Sequence, residues 1–142
     1  MKKVVKITGV AVGILFVLIA LLLTYVKTML PNVGEVPNIT VEKTSEQIAR
    51  GKYLANYVMV CMDCHSARDY TLFSGPMVAG TNGKGGEVFD QKLSFPGKFV
   101  ASNLTPFHLV DWTDGEIFRA ITTGVSKDGS ALFPTMPYHN YG

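Results

Sequence analysis

"CMDCHSARD", residues 61–69, carries both cysteines of a 142-residue chain, three positions apart, with a histidine directly after the second. Three chemistries use cysteines at this spacing: a redox disulfide, half of a zinc site, and thioether attachment of a haem. The residues on either side decide between them, and with that choice comes the fold.

Immediately upstream, "TSEQIARGKYLANYVMV" opens on Thr44 and has Gln47 three residues on, a capping-box pattern. A helix is expected over residues 45–60, polar in its first two turns, apolar from Tyr53 onward, and buried on most sides in that later half. Gly51 inside it costs about 1 kcal/mol relative to alanine and is read as a close approach by another backbone. Downstream, residues 74–106, "SGPMVAGTNGKGGEVFDQKLSFPGKFVASNLTP", are rich in glycine and lack a helical period. A short hairpin is expected within residues 87–100. "GTNGKGG" lacks the Gly-Lys-Ser/Thr ending of a phosphate-binding loop and reads as a surface loop. So long an irregular segment in a small domain implies that it wraps something. A second helix is expected in "DWTDGEIFRAITTG", capped by Thr113 with Glu116, directing Ile117, Ala120 and Ile121 inward and ending at Gly124.

The N-terminal part differs from all of this. Residues 7–26, "ITGVAVGILFVLIALLLTYV", contain no charge, and as a helix they would span roughly 30 Å, the thickness of a bilayer's apolar core. A cleaved signal peptide has an apolar region of about 7–15 residues followed by a small-x-small site, which Ala20 and the three leucines after it do not provide. The segment is therefore read as an uncleaved anchor. Lys2, Lys3 and Lys6 precede it and only Lys27 closely follows, so the N-terminus is expected in the cytoplasm and the remainder on the periplasmic face of the inner membrane. The formal charge of +2 conceals this division: beyond Lys27, nine basic and eleven acidic side chains leave −2. With no basic run interleaved with aromatics, nucleic acid is excluded as the expected partner. The organisation expected is an anchor over 1–29, a linker over 30–43 and one domain over 44–142.

A thioredoxin-type pair needs a βαβ scaffold and a thiol at a helix start, whereas Cys61 follows a helical pattern in a chain with no parallel-sheet signal. A zinc site needs a fourth ligand that nothing here specifies, and an adjacent cysteine and histidine suit tetrahedral geometry poorly. Cys-x-x-Cys-His fits covalent haem c, with two thioethers at the porphyrin edge and the imidazole of His65 on the iron. Export suits it, no cysteine is left over for a second haem, and a porphyrin supplies the apolar surface that the long loop would wrap.

From about residue 45 to the end the chain resembles a class I monohaem c-type cytochrome, membrane-anchored and similar to the cytochrome c subunits of bacterial dehydrogenase and quinol-oxidising complexes. The resemblance is carried by "ARGKYLANYVMVCMDCHSARD", "SNLTP", "DWTDGEIFRAITTGVSKDG" and "LFPTMPY". It implies an all-α cytochrome c fold with long haem-wrapping loops behind one transmembrane helix. It implies iron ligation by His65 and by Met136 of "PTMPY", rather than by Met77, His108 or His139. It places the acceptor for the second His65 nitrogen at the Gly75 or Pro76 carbonyl. Asn103, Thr105 and Trp112 are candidates for the haem propionates, whereas Arg119 is read as solvated. Such cytochromes close with a C-terminal helix crossing the first. The chain stops at Gly142 without one, so that helix is expected to be missing or truncated, leaving apolar surface exposed on the first helix.

The function implied is a one-electron carrier, not itself an enzyme, passing electrons from a quinol-oxidising complex or dehydrogenase to a terminal oxidase, free or as a fixed subunit. The alternatives are a five-coordinate haem sensor or peroxidase-like enzyme, should Met136 not bind iron, and a disulfide-containing anchored module, should there be no haem.

Overall fold

In the computed structural model, which describes residues 2–142, α1 runs over Lys2–Met29 and is exposed along its length. It is the one helix among the described residues long and apolar enough to cross a membrane. Residues 30–43 form no helix or strand, as their prolines and glycine lead one to expect.

The chain divides into two units, one of Pro37–Phe118 and one of Met1–Val36 with Arg119–Gly142. The regular structure is mostly helical. In the first unit α2 spans Ser45–Tyr53 and begins as its cap dictates, the Gln47 N–H donating to the Thr44 hydroxyl at 3.2 Å. At Leu54–Val58 the winding loosens into a π-helical turn, closed by the Met59 N–H on the Leu54 carbonyl at 2.8 Å. The helix thus changes pitch before residue 60, and Val60 takes a left-handed conformation, φ 48°. A β-branched residue there costs about 1–2 kcal/mol, strain of the kind found where a chain must be aimed at a functional site. It turns the chain directly into α3, Cys61–Cys64.

Two expectations for this helix fail. Its later half is not buried on most sides, since Leu54 to Asn56 are half-buried while Tyr57 and Val58 are 75% and 55% exposed. Gly51 does not mark a close approach, for a Cβ there would meet nothing within 4 Å. Ile48 and Tyr53 are exposed as well.

The hairpin forms as a two-residue ladder, β1 (Val88–Phe89) antiparallel to β2 (Phe99–Val100), with Val88 opposite Val100 and Phe89 opposite Phe99. Phe95 packs edge-on against both Phe89 and Phe99, at centroid distances of 5.5 and 6.4 Å. The aromatic cluster stabilises a ladder too short to stand on its own hydrogen bonds. Helix α4 spans Asp114–Thr123 with the reciprocal box intact: Glu116 N–H donates to the Thr113 hydroxyl at 3.2 Å, and Thr113 N–H donates to Glu116 Oε2 at 2.7 Å. The Asp114 carboxylate accepts the Val41 N–H at 2.8 Å, tying the linker to the start of α4.

The core is small. Among the described residues the buried hydrophobic side chains are Ala120 and Val125, and the one fully buried side chain is the polar Ser66, at 0%. A fold of this size with no large buried aliphatic or aromatic side chain cannot rest on its own apolar packing.

Candidate haem attachment site

The site is built on α3. One helical turn separates Cys61 from Cys64, which puts both thiols on one side of the turn, and the His65 N–H closes that turn on the Cys61 carbonyl at 3.0 Å. Both cysteines are half-buried and unpaired. Burial pushes both thiols above their usual pKa, and at Cys64 the charges of Asp63 and Glu87 add to it. A redox pair needs a thiol with its pKa lowered, so the environment speaks against disulfide exchange. Among the described residues no three His, Cys, Asp or Glu side chains gather as a metal-binding group, which leaves Cys61, Cys64 and His65 without zinc geometry.

The turn is held from outside by the Arg68 guanidinium, which pairs with Asp63 at 2.7 Å and donates to the Ser74 carbonyl at 3.1 Å. The imidazole is held separately. His65 Nδ1 lies 2.7 Å from the Ser102 carbonyl oxygen. A carbonyl only accepts, so Nδ1 carries the proton and Nε2 presents its lone pair. No other polar partner of the ring occurs among the described residues. That tautomer, with the distal nitrogen free, is the one a metal-ligating histidine needs. The donor set thus suits a haem held by two thioethers and one imidazole, and the scarcity of buried apolar side chains suits a group that brings apolar surface of its own.

The acceptor expected at Gly75 or Pro76 is corrected by this geometry. The Pro76 carbonyl accepts from the Asp69 N–H at 3.0 Å within a bridge between Arg68 and Met77, which occupies it away from the ring. Ser102 takes its place because residues 83–86 and 101–104 run as a pair beside α3. Leu104 N–H donates to the Gly83 carbonyl at 2.7 Å, and Gly86 N–H to the Ala101 carbonyl at 3.0 Å. Ser66 fastens this pair from within, its buried hydroxyl accepting the Gly83 N–H at 3.1 Å. Ser66→Ala leaves that N–H buried without a partner, a cost of about 1–3 kcal/mol. The expected result is a lower urea midpoint for the extracted protein, followed by circular dichroism; an unchanged midpoint would show that the fastening contributes nothing.

Asn103 and Thr105 are engaged with each other. Asn103 Oδ1 accepts the Thr105 N–H at 2.8 Å and its hydroxyl at 2.6 Å, a local turn that commits the threonine proton and leaves the amide nitrogen of Asn103 free. The Trp112 indole N–H has no hydrogen-bond partner among the described residues. Met77, His108 and His139 are exposed.

Met136 belongs to the other unit. It is half-buried between Pro134 and Pro137, its N–H on the Phe133 carbonyl at 3.2 Å and its carbonyl accepting the Tyr138 N–H at 2.9 Å. The Tyr138 ring lies over Gly124, where a Cβ would fall 2.5 Å from ring carbons, so glycine at the end of α4 makes room for the side chain two residues past Met136. Arg119 is not solvated, contrary to expectation. It is partly buried and donates to the Ser126 carbonyl at 2.8 Å, with its Nε enclosed and unpartnered. The guanidinium clasps the turn that follows α4, a use that only the folded loop reveals.

Residues 83–86 and Ser102 escaped the sequence reading. A main-chain acceptor carries no side-chain identity, and the clustered glycines of residues 80–86 were the one available hint.

The chain is similar to cytochrome c subunits of dehydrogenases. The cytochrome c subunit of gluconate 2-dehydrogenase from Pantoea cypripedii is 29% identical over 97 residues, 66% of this chain. The cytochrome c subunits of quinone alcohol dehydrogenase from Gluconacetobacter polyoxogenes and Komagataeibacter europaeus are each 26% identical over 106 residues, 72% of this chain. The matched region covers 19% of the length of each relative. No family model matches.

Proposed function

We propose that residues 44–142 form a cytochrome c domain that binds one haem c covalently and carries single electrons for a membrane dehydrogenase. The observation that carries this is the His65 imidazole, tied through Nδ1 to Ser102 beside two half-buried cysteines on one turn. A haem bound there supplies a one-electron couple between ferric and ferrous iron, with no bond made to a substrate. The protein's part is to hold the ring by Cys61 and Cys64 and to orient the imidazole. Met136 would be the second residue to hold the iron, by its match to the late methionine loop of class I cytochromes; a thioether ligand would raise the potential relative to a second histidine. The Asn103 amide and the Trp112 indole retain free donors for the propionates. Similarity to dehydrogenase subunits supports a dehydrogenase as donor, with a quinol-oxidising complex as the related possibility and a terminal oxidase as the eventual acceptor. α1 anchors the domain with its N-terminus in the cytoplasm and the haem site in the periplasm, as the distribution of lysines favours. Confinement to the membrane raises the effective concentration near such partners.

The test is a visible spectrum of the membrane-extracted protein, oxidised and reduced, before and after carbon monoxide. A c-type spectrum indifferent to carbon monoxide is expected. A shift with carbon monoxide would indicate an open iron and a sensor or peroxidase-like role, and no haem from a host competent in attachment would overturn the reading.

A further inference from the structure

We infer that Gly85 is the positioning residue for the His65 imidazole, an inference that rests on His65 being the iron ligand. It touches the histidine's surroundings twice. Its N–H donates to the His65 carbonyl at 2.8 Å, which fixes the main chain of the ligand. Its α-carbon, at φ +74°, sits so close to the opposite segment that a Cβ would lie 2.5 Å from the Ala101 oxygen, 2.7 Å from the Ser102 carbonyl carbon and 2.8 Å from its oxygen. That oxygen is the one bonded to His65 Nδ1 at 2.7 Å. One buried glycine therefore sets both where the histidine's backbone lies and where the acceptor of its ring proton lies. No side chain fits without displacing backbone, and backbone cannot swing aside as a side-chain end does. The flanking glycines differ: a Cβ at Gly83 would meet atoms only at 3.8 Å and beyond, and at Gly86 nothing within 4 Å.

The Nδ1–H bond to a carbonyl makes the imidazole a stronger donor through Nε2, which favours ferric iron and lowers the potential. Displacing Ser102 weakens that donation. Gly85→Ala in the full chain, produced with the haem-attachment machinery, is therefore expected to raise the reduction potential. The Nδ1 proton of the ferrous protein, followed by NMR, is expected to exchange about tenfold faster, the factor that one ordinary hydrogen bond is worth. Gly80→Ala is the control, with nearly the same φ, +78°, and nothing within 4 Å of the new Cβ. It carries the strain without the collision, and both readouts are expected to match wild type.

Equal behaviour of the two variants, changed or unchanged, overturns the inference. Should Gly85→Ala yield no haem protein while Gly80→Ala does, wild-type exchange decides: a protected Nδ1 proton upholds the clamp, and one lost on mixing with deuterium oxide refutes it. A wild-type protein without haem would instead refute the proposed function, so the two failures are distinct.

Discussion

Replacing Cys61 and Cys64 together by alanine is expected to abolish covalent haem completely, read as loss of haem staining on a denaturing gel and loss of the c-type absorption band. Two thioethers are what would keep the group on an unfolded chain; an imidazole and a thioether ligand release it once the fold opens. The thiols are the chain's only cysteines, are unpaired and half-buried, and leave the His65 N–H on a main-chain carbonyl, a bond the substitution does not touch. α3 is accordingly expected to survive, and a far-ultraviolet spectrum checks that loss of haem is not simply loss of the turn. Each single variant should retain one thioether at most and a shifted absorption band. Haem that stays with the denatured double variant would show that attachment does not run through these cysteines. A wild-type protein free of haem and without titratable thiols would point to the disulfide instead.

The second large effect is expected at Met136. Met136→Ala should remove the weak near-red band of methionine ligation, make the iron responsive to carbon monoxide and lower the potential by a sizeable part of the ~0.8 V range that axial ligands command. Met136→His separates ligation from packing: it should restore indifference to carbon monoxide while keeping the potential low, because imidazole stabilises ferric iron better than a thioether does. A methionine that merely filled space would give variants with unchanged spectra and a modest loss of stability. The neighbouring prolines and the seat of Tyr138 over Gly124 argue that this loop is held in one conformation, so that the side chain rather than the backbone is what the substitution tests.

The helical elements were legible because their boundaries are written locally. Thr44 with Gln47 and Thr113 with Glu116 cap helices that begin where the caps stand, and Gly124, at φ +68°, ends the second. The hairpin expected within residues 87–100 forms, but what holds it, three phenylalanines packed edge-on, is visible only in the fold. The later half of the first helix was misread: an apolar run reads as buried wherever it occurs, but burial depends on what packs beside it, and Tyr57 and Val58 face outward.

What the sequence by itself determined is a set of local patterns: two cysteines and a histidine at one spacing, an uncharged stretch of membrane length, and capped helices, all properties of residues near one another in the chain. What only the tertiary structure decided is how the histidine is held. Its partner is the main-chain oxygen of Ser102, 37 residues away, and against it lies Gly85, whose N–H donates to the His65 carbonyl and whose lack of a side chain leaves Ser102 its room. Arg119 on the Ser126 carbonyl is the same case on a smaller scale. Every residue carries a carbonyl, so no pattern of side chains reveals which one folding brings into reach.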